Sequence, residues 1–149
     1  MINTEKYELL LREKITPRYV VGRDTPDAYF LHGNDIKKHV ENCKEIMIFA
    51  ATLGLQVDGL IRSLEASDMP GAVITDSLAS DMIENYCDDV FRGRTDLTTR
   101  FSPGYGDFPL EVQHELLRIL DAKKQIGLYA TAGGLLIPRK SITAIIGVM

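Results

Sequence analysis

The sequence has few residues with specialised chemistry: no tryptophan, two cysteines and three histidines among 149 residues. The cysteines, Cys43 and Cys87, lie far apart, each within an apolar helical pattern. This predicts two buried free thiols rather than a disulfide or a metal site. No two of the histidines, His32, His39 and His114, have the spacing of metal ligands. The sequence therefore disfavours a metal centre and a disulfide-stabilised fold.

An excess of positive charge and long apolar runs are also missing. The 17 lysines and arginines are outnumbered by 21 acids, which gives a net charge of −4, and no basic cluster stands out. This argues against nucleic acid as a partner. No segment reaches the roughly 18 apolar residues of a membrane span, and the polar N-terminus does not resemble a signal peptide. We therefore expect a cytoplasmic, reduced protein that contacts no membrane.

The motifs of common nucleotide-binding folds and hydrolases are absent as well. The Leu53-Gly54 step between a predicted strand and helix holds one glycine, where the dinucleotide fingerprint needs three. Neither Ser80 nor Ser102 lies in a nucleophile motif. Catalysis by a nucleophile of this chain is therefore not indicated.

Hydrophobic periodicity predicts an α+β domain with a twisted, largely antiparallel sheet flanked by helices. The apolar run at 45–52 is nearly continuous, which is typical of a strand buried on both faces. We expect residues 1–27 to form an N-terminal arm and residues 28–149 the main domain. Predicted helices cover 4–14, a segment from Asn34 or Asp35 to Cys43, 56–66, 70–91 and a segment opened by Asp107 and Pro109. Predicted strands cover 28–32, 45–52, 126–131, 135–138 and 141–149.

The most informative segment is 100–107, which reads Arg-Phe-Ser-Pro-Gly-Tyr-Gly-Asp. Pro103 fixes one backbone dihedral, and Gly104 permits a positive φ or the close approach of a bound group. Arg100 adds a guanidinium fork and Tyr105 an aromatic ring. These residue types are typical of a turn that holds a ligand, although Pro-Gly also occurs in turns without a ligand.

The long predicted helix before this turn carries polar residues on one face. Asp76, Ser80 and Glu84 are spaced by four and therefore share that face. A solvated helix face is the simpler interpretation. Because the helix leads directly to Arg100, however, Glu84 can meet the cationic part of a ligand whose anionic part pairs with Arg100.

The sequence resembles a known family at this turn and elsewhere. Arg100-x-x-Pro103-Gly104-Tyr105 is similar to the Arg-x-x-Pro-Gly-Tyr signature of the activation (reactivation) domain of cobalamin-dependent methionine synthase. Similarity to small standalone versions of that domain extends over about residues 28–149. The other similar segments are Leu31–Ile36 with His39 and Cys43, Phe49–Gly54, Val57-Asp58-x-x-Ile61-Arg62, Leu110–Gln125 and Pro138-x-x-Ser141-Ile142-Thr143-Ala144.

The resemblance implies an S-adenosylmethionine-binding domain of helmet-like α+β structure. In the family, the domain presents the methyl donor for reductive methylation of cob(II)alamin, with an electron from a flavodoxin-type donor. The chain is then expected to be a standalone reactivation subunit whose partner is a cobalamin-binding methionine synthase subunit. It lacks the Asp-x-His-x-x-Gly motif of cobalamin-binding modules, so cobalamin is expected only on that partner.

The resemblance also implies roles for individual residues. Arg100 is expected to bind the ligand carboxylate, backbone groups of Ser102 and Gly104 to reach the adenosine, and Tyr105 to pack on or hydrogen-bond to the ligand. Glu84 is the expected partner of the ligand ammonium, with Ser80 as the alternative for that position.

Two ligand contacts of the family have no match in this sequence, namely an acid from the N-terminal arm and a tyrosine from a C-terminal extension. This implies weak or partner-dependent binding of S-adenosylmethionine. It also keeps open two other functions: a docking or ligand-binding module for a corrinoid protein that delivers no methyl group, and reactivation of another corrinoid methyltransferase.

Overall fold

A computed structural model describes residues 3–149 and places one strand at the centre of the protein. This strand, β2 (Glu45–Thr52), pairs antiparallel with β1 (Arg18–Asp24) on one side and β5 (Ser141–Val148) on the other. Phe49 lies opposite Val21 of β1 and Ala144 of β5. A separate ladder joins β3 (Tyr129–Ala130) to β4 (Leu136–Ile137).

Six helices of the described residues cover the sheet. They are α1 (Thr4–Lys14), α2 (Asn34–Val40), α3 (Leu55–Ser67), α4 (Met69–Val90), α5 (Val112–Leu120) and α6 (Ala122–Ile126). The expected α+β class, with an antiparallel sheet flanked by helices, is confirmed. In the described part of the chain, no helix combines the length and apolar character needed to cross a membrane.

Alternate residues of β2 enter two different cores, because successive strand side chains point to opposite faces. Ile46 and Ile48 pack in a cluster with residues of α2, α5 and α6. Met47 and Phe49 pack in a second cluster with residues of α1, α3 and α4. Burial of each such side chain contributes about 1.5–3 kcal/mol, so β2 stabilises both layers at once, as its continuous apolar run predicts.

The long helix α4 begins at a capped and anchored residue. Asp68 accepts a hydrogen bond from the Gly71 backbone N–H at 3.1 Å, and Pro70 occupies the first turn. The buried Tyr7 of α1 donates its hydroxyl to Asp68 at 2.5 Å. Helices α1 and α4 are thereby joined at the start of the helix that later carries Glu84.

Several predicted elements were wrong. Residues 28–32 form turns instead of a strand, because Phe30 and Leu31 are core residues that are buried without pairing in a ladder. Helix α5 begins at Val112, later than Asp107 and Pro109 predicted, since the chain first completes the turn. The expected strand at 126–131 is reduced to Tyr129–Ala130, because Ile126 ends α6.

The expected N-terminal arm contains a strand that the sequence pattern did not predict. Arg18–Asp24 forms the edge strand β1, in which no residue is fully buried. The first two residues of the arm lie outside the described residues. The domain boundary after residue 27 stays a prediction.

Candidate functional site: a charged cleft between α4 and the turn of residues 100–107

The turn of residues 100–107 begins on the sheet. The Phe101 backbone N–H donates to the Ile145 carbonyl at 2.9 Å, and the Ile145 N–H donates to the Phe101 carbonyl at 2.8 Å. Pro103 is buried, and the Gly104 N–H donates to the Phe108 carbonyl at 2.8 Å. Gly104 has φ +95°, a conformation that favours glycine. The turn itself therefore favours glycine at position 104, whether or not a ligand binds.

The guanidinium of Arg100 lies between two carboxylates of α4. Nη1 donates to Asp88 at 2.8 Å, and Nη2 donates to Glu84 at 2.7 Å. The arginine side chain is only 20% exposed, whereas those of Glu84 and Asp88 are 60% and 65% exposed. Burial alone would lower the pKa of Arg100, but the hydrogen bonds to both acids outweigh it and raise the pKa. Arg100 is therefore a fixed, permanently charged group.

The two ion pairs do not exhaust the binding capacity of this cluster. A guanidinium carries five N–H donors, and the contacts with Asp88 and Glu84 engage two of them. Both acids are largely exposed, so water and a ligand can compete for their carboxylates. A ligand with its own carboxylate and ammonium can exchange with these pairs without leaving a charge unmatched.

The cluster forms one wall of a cleft of about 500 Å³. This volume lies within the range of small-molecule sites, roughly 300–1,000 Å³. The walls combine charges of both signs with an apolar surface. The lining residues are Glu84, Asp88, Phe91, Arg94, Leu97, Thr98, Thr99, Arg100, Ser102, Ile142 and Ile146. The cleft therefore suits a ligand with a zwitterionic end and a flat or apolar end.

A buried thiol lies beside the charged wall. Cys87 precedes Asp88 on α4 and is inaccessible to solvent. Burial raises the pKa of Cys87 to about 11, so the thiol stays protonated at neutral pH. Both cysteines are free, as predicted; Cys87 is fully buried, whereas Cys43 is partly exposed.

The structure brings three of the five predicted site residues to this cleft. Arg100, Glu84 and Ser102 line it, whereas Gly104 and Tyr105 do not. Tyr105 is 70% exposed, and its ring packs edge-on against Phe101 with centroids 5.2 Å apart. The turn thus has a cleft-facing half and an outward half, and the ligand-binding role of each of the five residues remains a prediction.

Ser80, the alternative to Glu84, lies in a different cluster. It accepts a hydrogen bond from Lys140 Nζ at 2.8 Å and donates to the backbone carbonyl of Asp76 at 3.1 Å. Lys140 also pairs with the Asp76 carboxylate at 2.9 Å. Of the two candidates for the acidic position, only Glu84 contacts Arg100.

Asp88 was not among the predicted site residues, yet it contacts Arg100 as closely as Glu84 does. The signal was present, because Asp88 continues the spacing of four after Asp76, Ser80 and Glu84. Extending the polar face by one helical turn would have found it. In the described residues, no three histidine, cysteine or acidic side chains cluster as metal ligands would.

No protein-family profile and no curated protein matches the sequence. A search of solved structures matches the MetH reactivation domain bound to AdoHcy, with a TM-score of 0.73 and 17% sequence identity. The match covers 95% of this chain and 61% of the length of that structure. The chain therefore has the fold of the MetH reactivation domain, and the fold that the resemblance implied is confirmed.

Proposed function

We propose that this chain binds S-adenosylmethionine in the cleft beside Arg100 and presents its methyl group to a cobalamin-bearing methionine synthase subunit. The chain would act as a standalone reactivation subunit, and the cytoplasmic location expected from its sequence belongs to the same proposal. The observation that carries the proposal is the Arg100 cluster within a cleft of suitable volume. Supporting it, the solved structure that shares this fold was determined with AdoHcy bound.

The lining of the cleft matches S-adenosylmethionine part by part. Arg100 can bind the carboxylate, and a hydrogen bond to a charged group contributes roughly 1.5–3 kcal/mol. Glu84 or Asp88 can accept from the ammonium. The apolar side chains of Phe91 and Leu97 offer a surface for the adenosine. The residues present therefore fit the ligand.

In the proposed mechanism this chain contributes positioning, which lowers the entropic cost of bringing two reactants together. Arg100 and its acids fix one end of the methyl donor and exclude alternative orientations. If a partner carries cobalamin and a flavodoxin-type donor supplies the electron, the reduced corrinoid would provide the nucleophile for the methyl group, and AdoHcy would be the leaving group. No side chain of this chain is assigned as an acid or base.

An isothermal calorimetric titration with S-adenosylmethionine and AdoHcy tests the proposal. We expect saturable binding, tighter when a cobalamin-loaded methionine synthase subunit is present. The transfer itself is measured by following a labelled methyl group from S-adenosylmethionine to cobalamin under reducing conditions. Label that reaches cobalamin only when this chain is added supports the proposal.

A second function is favoured by one observation. Arg100 is already paired with Glu84 and Asp88, while Gly104 and Tyr105 lie outside the cleft. A docking module for a corrinoid protein that delivers no methyl group would have no need of a free guanidinium. Absence of binding heat with and without the partner subunit, together with co-elution of the two chains, supports this alternative.

A further inference from the structure

We infer that Asp107 and Asp35 are positioning residues, which hold the turn of residues 100–107 against α2 and so fix Arg100 at the cleft. The inference rests on the proposed function for its effect on ligand binding. Neither residue lines the cleft. Both act through the backbone of the turn.

The two aspartates form a reciprocal clamp of three hydrogen bonds. The Asp107 carboxylate accepts from the backbone N–H groups of Asn34 at 2.8 Å and Asp35 at 2.9 Å. The Asp35 carboxylate accepts in return from the Asp107 N–H at 3.2 Å. Charge-assisted bonds of this type are stronger than neutral ones. In agreement, the bonds from Asp35 and Asn34 lower the pKa of Asp107.

A glycine on each side lets the two segments approach. Gly33 has φ +110°, and a Cβ there would lie 2.6 Å from the Asp107 carbonyl oxygen. Gly106 has φ +57°, and a Cβ there would collide with the Asp35 carboxylate. Gly33 thus leaves room for Asp107, and Gly106 leaves room for Asp35. A contact that excludes side chains on both sides is more specific than a chance surface hydrogen bond.

The turn of residues 100–107 is attached to its neighbours on each side of the Pro-Gly pair, and the clamp is the second of these attachments. Before the Pro-Gly pair, Phe101 is bonded to Ile145 of β5 through both backbone groups. After it, Asp107 is bonded to α2. Helix α2 also reaches the start of the turn, where His39 Nε2 lies 2.8 Å from the Thr99 carbonyl oxygen. Without the Asp107 attachment, the start of the turn is still held by the sheet, by His39 and by the ion pairs of Arg100, but its end loses the hydrogen bonds to α2.

Two variants break the clamp by different means. Asp107→Asn keeps the shape but removes one of the two acceptor oxygens, and Gly106→Ala inserts a methyl group against Asp35. Matched controls are Asp58→Asn, which weakens a carboxylate contact to the Arg139 backbone N–H at 3.0 Å, and Gly127→Ala, at φ +71° with open space around it. Neither Asp58 nor Gly127 lines the cleft.

Two measurements on the full chain test the inference: amide hydrogen exchange in residues 101–108 and the Kd for AdoHcy. For both clamp variants we expect about 10-fold faster exchange in this segment and about 10-fold weaker binding. The controls should change neither, even if their melting temperatures fall. A purely structural role would lower melting temperature in all four variants without singling out the turn or the ligand.

Unchanged exchange in the turn of both clamp variants would overturn the inference, and so would faster exchange with unchanged affinity. If the unmodified chain does not bind AdoHcy at all, the proposed function fails separately. The exchange data then decide the positioning role alone: faster exchange in both clamp variants but in neither control upholds it, and any other pattern overturns it.

Discussion

The two halves of the turn of residues 100–107 differ in what holds them. The cleft-facing half presents Arg100, which is mostly buried and paired with two acids of α4. The outward half presents Gly104 and Tyr105, which are exposed and make only local contacts. One short motif therefore combines a side chain fixed by charge with residues fixed only by backbone conformation. A ligand contact is better supported for the first half than for the second.

The largest expected effect belongs to Arg100. Arg100→Ala should weaken AdoHcy binding by about 2 kcal/mol, or roughly 30-fold, because it removes the guanidinium that both acids hold at the cleft. Calorimetry measures the change. Arg92→Ala is the matched control, because Arg92 is an exposed arginine paired with Asp89 that does not line the cleft. If both variants are folded and bind AdoHcy with equal affinity, Arg100 does not contact the ligand.

The outward half is tested through Gly104. Gly104→Ala should lower the free energy of unfolding by about 1–2 kcal/mol, because φ is +95° and the new Cβ would lie 3.3 Å from Leu110 Cδ1. Thermal melting should register a fall of roughly 2–8 °C. Gly59→Ala, in α3 with open space around it, should instead stabilise the chain by about 0.5–1 kcal/mol. Equal melting temperatures would mean that the turn tolerates a side chain.

The acids of the cleft-facing half should have smaller effects that depend on the ligand. Glu84→Gln should weaken AdoHcy binding about 3-fold, because an exposed charge contact contributes less than 1 kcal/mol. A deaminated analogue, which has no ammonium, should bind to this variant as tightly as it binds to the unmodified chain. Asp81→Asn, on the same helix but away from the cleft, is the control. A similar loss for both ligands would show that Glu84 does not contact the ammonium.

The smallest stability effect is expected at Tyr105. Tyr105→Ala should change the free energy of unfolding by less than about 1 kcal/mol, since the ring is exposed and makes one edge-on contact with Phe101. Its effect on AdoHcy affinity decides whether the two halves act together. A loss of affinity as large as that of Arg100→Ala would show that both halves of the turn contact the ligand. A loss below 3-fold would show that the outward half does not.

The parts of the fold that the sequence predicted well are those with a strong local pattern. The buried strand β2 and the helices α3 and α4 appear within a residue or two of their predicted bounds, because their apolar spacing is regular. The edge strand β1 was missed because its residues are at most half-buried. The segment with Phe30 and Leu31 was predicted to be a strand, but it has no strand pairing although both side chains are buried. Burial determined by tertiary packing leaves no periodic signal.

The site was predictable where helical spacing and chain proximity coincide. Glu84 and Arg100 were expected to face one ligand, and the structure places them in contact. Asp88 was overlooked although it continues the same spacing, whereas the sequence did not reveal that Gly104 and Tyr105 turn away from the cleft. The direction in which each residue of a tight turn points depends on positive φ values and on attachments to distant elements. Neither the φ values nor these attachments can be predicted from the spacing of residues alone.

The protonated state of Cys87 has a chemical consequence for a protein proposed to hold a sulfonium compound. Such compounds alkylate thiolates, and a thiol whose pKa is about 11 offers almost none at neutral pH. The sulfur is also shielded from solvent on the inner side of α4. The thiol next to the charged wall is thus unreactive at neutral pH, which would protect the protein from alkylation by its own proposed ligand.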